Sequence, residues 1–429
     1  MTTSTMFRDF LSNLAVDNAY EISNRYGEVT ASLNKKFRDT ESKTANSLQV
    51  GSIGRNTAIK GISDLDMLYI MPQRMWFDYK DGGQYKLLSD TKDAIKARYP
   101  NTKVFVDRLV VCVQYKNFHI EVQPVFEQDD GSFKYPDTYG NGSWKITKPR
   151  EEIEAISEFN IQKNSNLRRL CKMTRAWKNK HGLGMGGLLV DTLAYNFLKS
   201  TTDYDDNSYS CYGSLSRDFF SYLMGQPDQD YYAALGSNQR VRVKKKFQRK
   251  AKKAYELCVE AIEAGEQDSA HDKWKKVYGR PFPNRSATNN DTVSFSEATW
   301  RNTEEFIEDK FLVDIKYNMT IDCDISQNGF RENSLSEFLR KQFRLAPKKN
   351  LKFYVKEDDI QGSYFIYWKV LNRGELARKK DMIRGQIFSG LGSRKRLEIT
   401  NFRGEHIVEC YAVQNGVVVA KDRIDVPIE

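Results

Sequence analysis

The chain has 429 residues, more than one hydrophobic core usually supports, so two or three structural units are expected. Hydrophobic residues at 40% and aromatics at 12% exclude a disordered chain, and the absence of any run of 18 apolar residues or of a basic leader before an apolar stretch reads as a soluble, unexported protein with no membrane partner. The net charge of +10 suits a polyanionic ligand, while six dispersed cysteines without a CxxC pair and four single histidines argue against a disulfide scaffold and a zinc site, leaving oxygen to hold any metal.

In chain order, Phe7, Phe10, Leu11 and Leu14 fall at helical spacing and predict one or two leading helices. From about residue 50 to 126 come β-rich runs, MLYIM, VFVDRLVVCVQY and FHIEVQPVF, with a helix-like KLLSDTKDAIKARY among them, the pattern of an α+β unit with a small mixed sheet. After a Gly-, Asp- and Pro-rich loop, NLRRLCKMTRAWKNK, GLLVDTLAYNFLKS and KKKFQRKAKKAYELCVEAIEAG predict a helical lobe, closed by the loop GRPFPNRSATNNDTVS. Beyond it, short alternating segments separated by Gly, Asn and Asp turns predict a β-sandwich. The domains expected are 1–150, 151–300 and 310–429.

The chemistry concentrates in Gly51-Ser52-Ile53-Gly54-Arg55-Asn56-Thr57 and, a few residues on, Ser63-Asp64-Leu65-Asp66. In a strand, residues two apart share a face, so Asp64 and Asp66 present their carboxylates together while Leu65 and Met67 face away. Adjacent carboxylates repel unless a divalent cation compensates them, which points to Mg²⁺ or Mn²⁺. Glu121 is a charged residue in a second alternating strand and can complete the set, while Gly51-Ser52 offers close backbone approach and a hydroxyl for a triphosphate. Taken singly, SDxD reads as a turn and GS as a loop; in this order they describe phosphoryl or nucleotidyl transfer.

GSIGRNTAIKGISDLDML resembles the signature of the polymerase-β-type nucleotidyltransferases, in particular the bacterial cGAS/oligoadenylate-synthetase-like enzymes called CD-NTases. FHIEVQPVF resembles their third-carboxylate segment, NLRRLCKMTRAWKNK the helix behind their active site, and the last domain their C-terminal AGS-C sensor domain. The resemblance implies a cytoplasmic bacterial enzyme of the CBASS anti-phage systems, with regulatory partners of that system, that joins ATP, GTP or other nucleoside triphosphates into a cyclic di- or trinucleotide. It implies that Asp64, Asp66 and Glu121 hold two divalent cations and are catalytic, and that Gly51 and Ser52, with Lys172 or Arg175, hold the triphosphate. The sequence departs from many relatives in carrying Glu rather than Asp at 121 and glycines at 186 and 187. Two other readings stay open: nucleotide transfer onto RNA, a protein or a small molecule, and a non-catalytic nucleic-acid-binding module.

Nine basic residues lie between Arg240 and Lys253. A solvated helix face is the default reading, against a phosphate-facing surface or a site for a nucleic-acid activator. Tyr367, Trp368 and Tyr411 read as core before they read as a base-stacking pocket.

Overall fold

Alternating apolar residues in the first third of the chain build one mixed sheet, and the later alternating segments build two more. The computed structural model describes residues 2–265, 267–284, 304–327, 330–372, 375–379, 382–390, 394–400 and 403–429. Two compact units result, one of residues 1–41 and 48–289 and one of residues 42–47 and 290–429. The loop expected at GRPFPNRSATNNDTVS lies outside the described residues from 285 onward.

In the first unit α1 (Thr3–Asn13) and α2 (Ala19–Arg38) precede β1 (Ser47–Gln49), the short α3 (Gly51–Gly54) and β2 (Asp64–Ile70). Then come α4 (Trp76–Tyr79), α5 (Gln84–Arg98), β3 (Lys103–Asp107), β4 (Val110–Gln114), β5 (His119–Glu127), β6 (Phe133–Asp137) and β7 (Ser143–Thr147). The sheet runs β1-β2-β5-β4-β3, with β6 and β7 continuing from β5. The pair β2 and β5 is parallel, whereas β4 is antiparallel to both β5 and β3. Leu65, Met67, Ile120 and Val122 turn to one face of the sheet and pack with Val29, Leu33, Leu87 and Ile95 of α2 and α5. The alternate residues of β2 and β5 are left to the opposite face.

The rest of this unit is helical: α6 (Pro149–Gln162), α7 (Asn166–Lys180), α8 (Gly187–Lys199), α9 (Tyr212–Met224), the two-stranded β8 (Tyr231–Ala233) and β9 (Arg240–Arg242), α10 (Gln248–Glu263) and α11 (Asp268–Tyr278). Their shared core takes in Met6, Phe7 and Phe10 of α1. Phe7 meets Trp274 edge-on at 5.1 Å and Phe282 at 5.6 Å. The first leading helix thus packs with the helical half, whereas the sequence groups it with the sheet. An apolar face says that a helix is covered, not by which neighbour.

The second unit pairs a five-stranded sheet with a four-stranded one. The first holds β10 (Leu312–Val313), β14 (Phe365–Leu371), β15 (Arg384–Ser389), β17 (Gly404–Gln414) and β18 (Val417–Ile428). The second holds β11 (Met319–Gln327), β12 (Phe330–Ser334), β13 (Asn350–Asp358) and β16 (Lys395–Ile399). Ile321, Cys323, Ile325, Leu351 and Phe353 of the smaller sheet share a core with Trp368, Val408, Cys410 and Ile424 of the larger, a sandwich. The β17–β18 hairpin turns through Asn415 (φ 51°) and Gly416 (φ 78°), the two positive φ values of a type I′ turn. Trp368 and Tyr411 are buried, Trp368 in the sandwich core and Tyr411 in an adjoining cluster against which Tyr367 packs.

All six cysteines are free thiols. No described helix is long and apolar enough to cross a membrane.

Candidate active site

The open face of β2 and β5 forms the floor of a cleft of about 540 Å³ in the first unit, walled by the Gly51–Ser63 segment, the β3–β4 turn, the end of α7 and the start of α8. The strand register brings the carboxylates together. Asp66 stands opposite Glu121, and Asp64 opposite His119. Parallel neighbours lie about 4.8 Å apart, so residues separated by 55 positions in sequence share one spot, and all three carboxylates line the cleft.

Their surroundings differ. Asp64 is exposed and accepts a hydrogen bond from Ser63 Oγ at 2.7 Å, and Glu121 Oε1 lies 3.2 Å from His119 Nε2. Asp66 is deeper. Burial, then the negative charges of Glu121 and Asp64, raise its carboxyl to about 6, against a smaller downward pull from Arg55 and His119. Among the described residues no three acidic, imidazole or thiol groups stand in a closed metal-binding cluster. The donor set nonetheless fits Mg²⁺ or Mn²⁺: it is anionic, all oxygen, and penalises its own charge at Asp66. Cys112, opposite Glu121 on β4, is a neutral thiol, pushed up to about 11 by burial and by Glu121.

Gly51 is fixed by this arrangement. Its φ is +63°, and a Cβ there would stand 1.8 Å from Asp66 Oδ2. The Gly-Ser turn therefore runs its backbone directly over the central carboxylate, which only glycine permits. Ser52 lines the cleft beside it, and Val50 N donates to Asp66 O at 3.1 Å, tying the turn to the strand.

The two basic candidates divide. Arg175 lines the cleft wall, but its guanidinium is committed to Asp191, Nη1 to Oδ1 at 2.5 Å and Nη2 to Oδ2 at 2.9 Å. Lys172 does not line the cleft; Lys178 does, with Nζ donating to Met185 O at 2.7 Å. A three-residue step turns a helix by about −60°, so Lys172 and Lys178 lie about 120° apart on α7. Burial and the neighbouring Arg175 lower the Lys178 pKa. Arg55, Lys60, Gln123 and Asn179 also line the cleft and were not singled out in the sequence. For Lys178 and Asn179 the signal was there, three and four residues beyond Arg175 on the same helical face.

Between Arg240 and Lys253 all nine basic residues are exposed, with Val241, Val243, Phe247 and Ala251 turned inward against the helical core. Lys246 pairs with Asp228.

A mixed sheet carrying paired carboxylates beside a Gly-Ser turn, facing a helical half, is the arrangement that the nucleotidyltransferase resemblance implies. Residues 1–160 match the Second Messenger Oligonucleotide or Dinucleotide Synthetase domain and residues 301–429 the Adenylyl/Guanylyl and SMODS C-terminal sensor domain. The chain is 22% identical over 326 residues to the cyclic AMP-AMP-AMP synthase of an Acinetobacter species, covering 70% of this chain and 90% of that protein. It is 25% identical over 154 residues to a Bacillus cereus protein named "Probable cyclic nucleotide synthase". That match spans 34% of this chain and 44% of the relative. The fold is shared with the E. coli CdnC solved in a CdnC:HORMA-deltaN complex, at a TM-score of 0.51 and 14% identity over 65% of this chain and 98% of that one.

Proposed function

We propose that the chain condenses nucleoside triphosphates, ATP, GTP or others, into a cyclic di- or trinucleotide with release of pyrophosphate, as the signal-generating enzyme of a bacterial CBASS anti-phage system. The observation that carries this is the register placing Asp66 opposite Glu121, with Asp64 on the same face and Gly51 against Asp66. The relative named for a cyclic AMP-AMP-AMP product, matched over nine-tenths of its length, supports the cyclic outcome.

Asp64, Asp66 and Glu121 would hold two Mg²⁺ or Mn²⁺ ions, which supply activation of the attacking ribose hydroxyl and charge stabilisation of the departing pyrophosphate. The chain's own contribution is placement. Gly51 lets the backbone approach the donor phosphates, and Ser52 and Lys178 line the same cleft. Glu121, on the nucleophile side, accepts the proton of the attacking hydroxyl. The CdnC complex with a HORMA-type protein supports a regulatory partner within such a system.

Incubating the purified chain with each labelled triphosphate and Mg²⁺ or Mn²⁺ tests the proposal. A phosphatase-resistant product, abolished in Asp64→Ala and Asp66→Ala, is expected. Phosphatase-sensitive extension of an added RNA points instead to a transferase acting on RNA. Tight DNA binding with no product from any mixture points to a binding module.

A further inference from the structure

Behind the cleft wall lies a second charge cluster whose members are scattered in sequence. Arg55, immediately after α3, donates from Nε to Asp191 Oδ2 at 2.8 Å and from Nη1 to Glu152 Oε2 at 3.4 Å. Thr57 Oγ1 donates to the same Asp191 oxygen at 3.1 Å. Arg175 of α7 grips both oxygens of Asp191, and Ser237 Oγ donates to Glu152 Oε1 at 3.1 Å. Asp191, on α8, is wholly buried, and both arginines are nearly so. One carboxylate therefore ties the segment after the Gly-Ser turn to two helices of the other half of this unit.

The elements it ties are the ones that line the cleft. Thr57 N and Ala58 N both donate to Ser52 O, at 2.8 and 3.1 Å, so the segment anchored on Asp191 closes back onto the Gly-Ser turn. One helical turn before Asp191, Gly187 lines the opposite wall. The turn has no slack, since Gly51 already sits against Asp66. A shift of the Arg55–Thr57 anchor is passed directly to the position of Gly51 and Ser52.

We propose that Asp191 is a positioning residue for nucleotide binding: through Arg55, Thr57 and Arg175 it fixes the Gly51–Ser52 turn against α7 and α8 and so sets the triphosphate end of the cleft. The proposal rests on the reading of that cleft as a triphosphate site. It involves no bond-making by Asp191, and its signature is a change in substrate affinity.

The test compares wild type, Asp191→Asn and the milder Thr57→Val, which keeps side-chain shape and removes the hydroxyl that lies 3.1 Å from Asp191 Oδ2 and 3.4 Å from Ser52 O. Three quantities are measured: KM and kcat for cyclic product, equilibrium Kd of a non-hydrolysable ATP analogue with Mg²⁺, and thermal midpoint. In Asp191→Asn, KM and Kd are expected to rise about tenfold or more, with kcat changing less, and in Thr57→Val about threefold. Lowered midpoints with KM and Kd unchanged would reduce the cluster to a folding role and overturn the proposal. Should Asp191→Asn fail to fold, unchanged KM and Kd in Thr57→Val overturns it alone. Wild type that binds the analogue without making product sinks the proposed reaction but leaves the Kd comparison to decide Asp191. Wild type that binds no analogue overturns both.

Discussion

Two groups of carboxylates lie within the first unit, one on the cleft floor and one behind its wall, and they are compensated in opposite ways. Asp191 is surrounded by the protein's own cations: burial alone would raise its carboxyl, but Arg175 and Arg55 more than reverse this and hold it at about 2. Asp66 is surrounded by carboxylates and is raised to about 6. A charge neutralised from within is built for rigidity, since removing either partner strands the other in a low-dielectric interior. A charge left uncompensated toward a cleft is built to be completed by a cation and a phosphorylated substrate.

The largest expected effect falls on the uncompensated group. Asp66→Asn should lower product formation by at least about 1000-fold and should abolish the rise in thermal midpoint that Mg²⁺ gives wild type, since a ligand stabilises only the state that binds it. An undiminished Mg²⁺ shift in the variant would break the contrast. Gly51→Ala comes next: its Cβ would displace Asp66 Oδ2 and strain a positive φ, so activity should drop about 100-fold, a typical loss for catalytic groups misplaced by an ångström. Calorimetry with the fold intact but activity near wild type would refute the close approach. Arg55→Met should raise KM by loosening the Gly51–Ser52 segment and should also cost about 3–5 kcal/mol of stability, since Glu152 loses its guanidinium and Asp191 one of two, read from denaturant unfolding. The smallest effect is in pH. The depressed pKa of Asp191 stabilises the fold above the ordinary carboxyl value near 3.9, and about 2 kcal/mol of stability should be lost as pH falls from roughly 4 toward 2. That acid-linked loss should be missing from Asp191→Asn.

The cleft floor was legible in the sequence and the wall behind it was not. The same-face pair Asp64 and Asp66 follows from the two-residue period of a strand, and a glutamate inside an apolar alternating run marked Glu121. Their juxtaposition required only that two nearby strands pair. The C-terminal sandwich was similarly visible in alternating segments with Asn-Gly turns. The cluster at Asp191 joins positions 136 residues apart: a lone acid in the apolar run Leu188-Leu189-Val190-Asp191 marks a buried carboxylate, but no local pattern names its partners. Arg175 illustrates the same limit: helical spacing placed it on the cleft side, but its commitment to Asp191 depends on a second helix. Lys172 lies about 120° round α7 from the lining Lys178, and the apolar face of α1 did not say that the helical half covers it, because amphipathicity carries no address.

The approach of Gly51 to Asp66 makes the two positions one hereditary unit. With Asp at 66, a side chain at 51 meets the carboxylate oxygen at 1.8 Å and requires the acid to move, shrink or leave. A variant lineage that acquires even a methyl there has given up the central carboxylate's place before any change at 66 is seen.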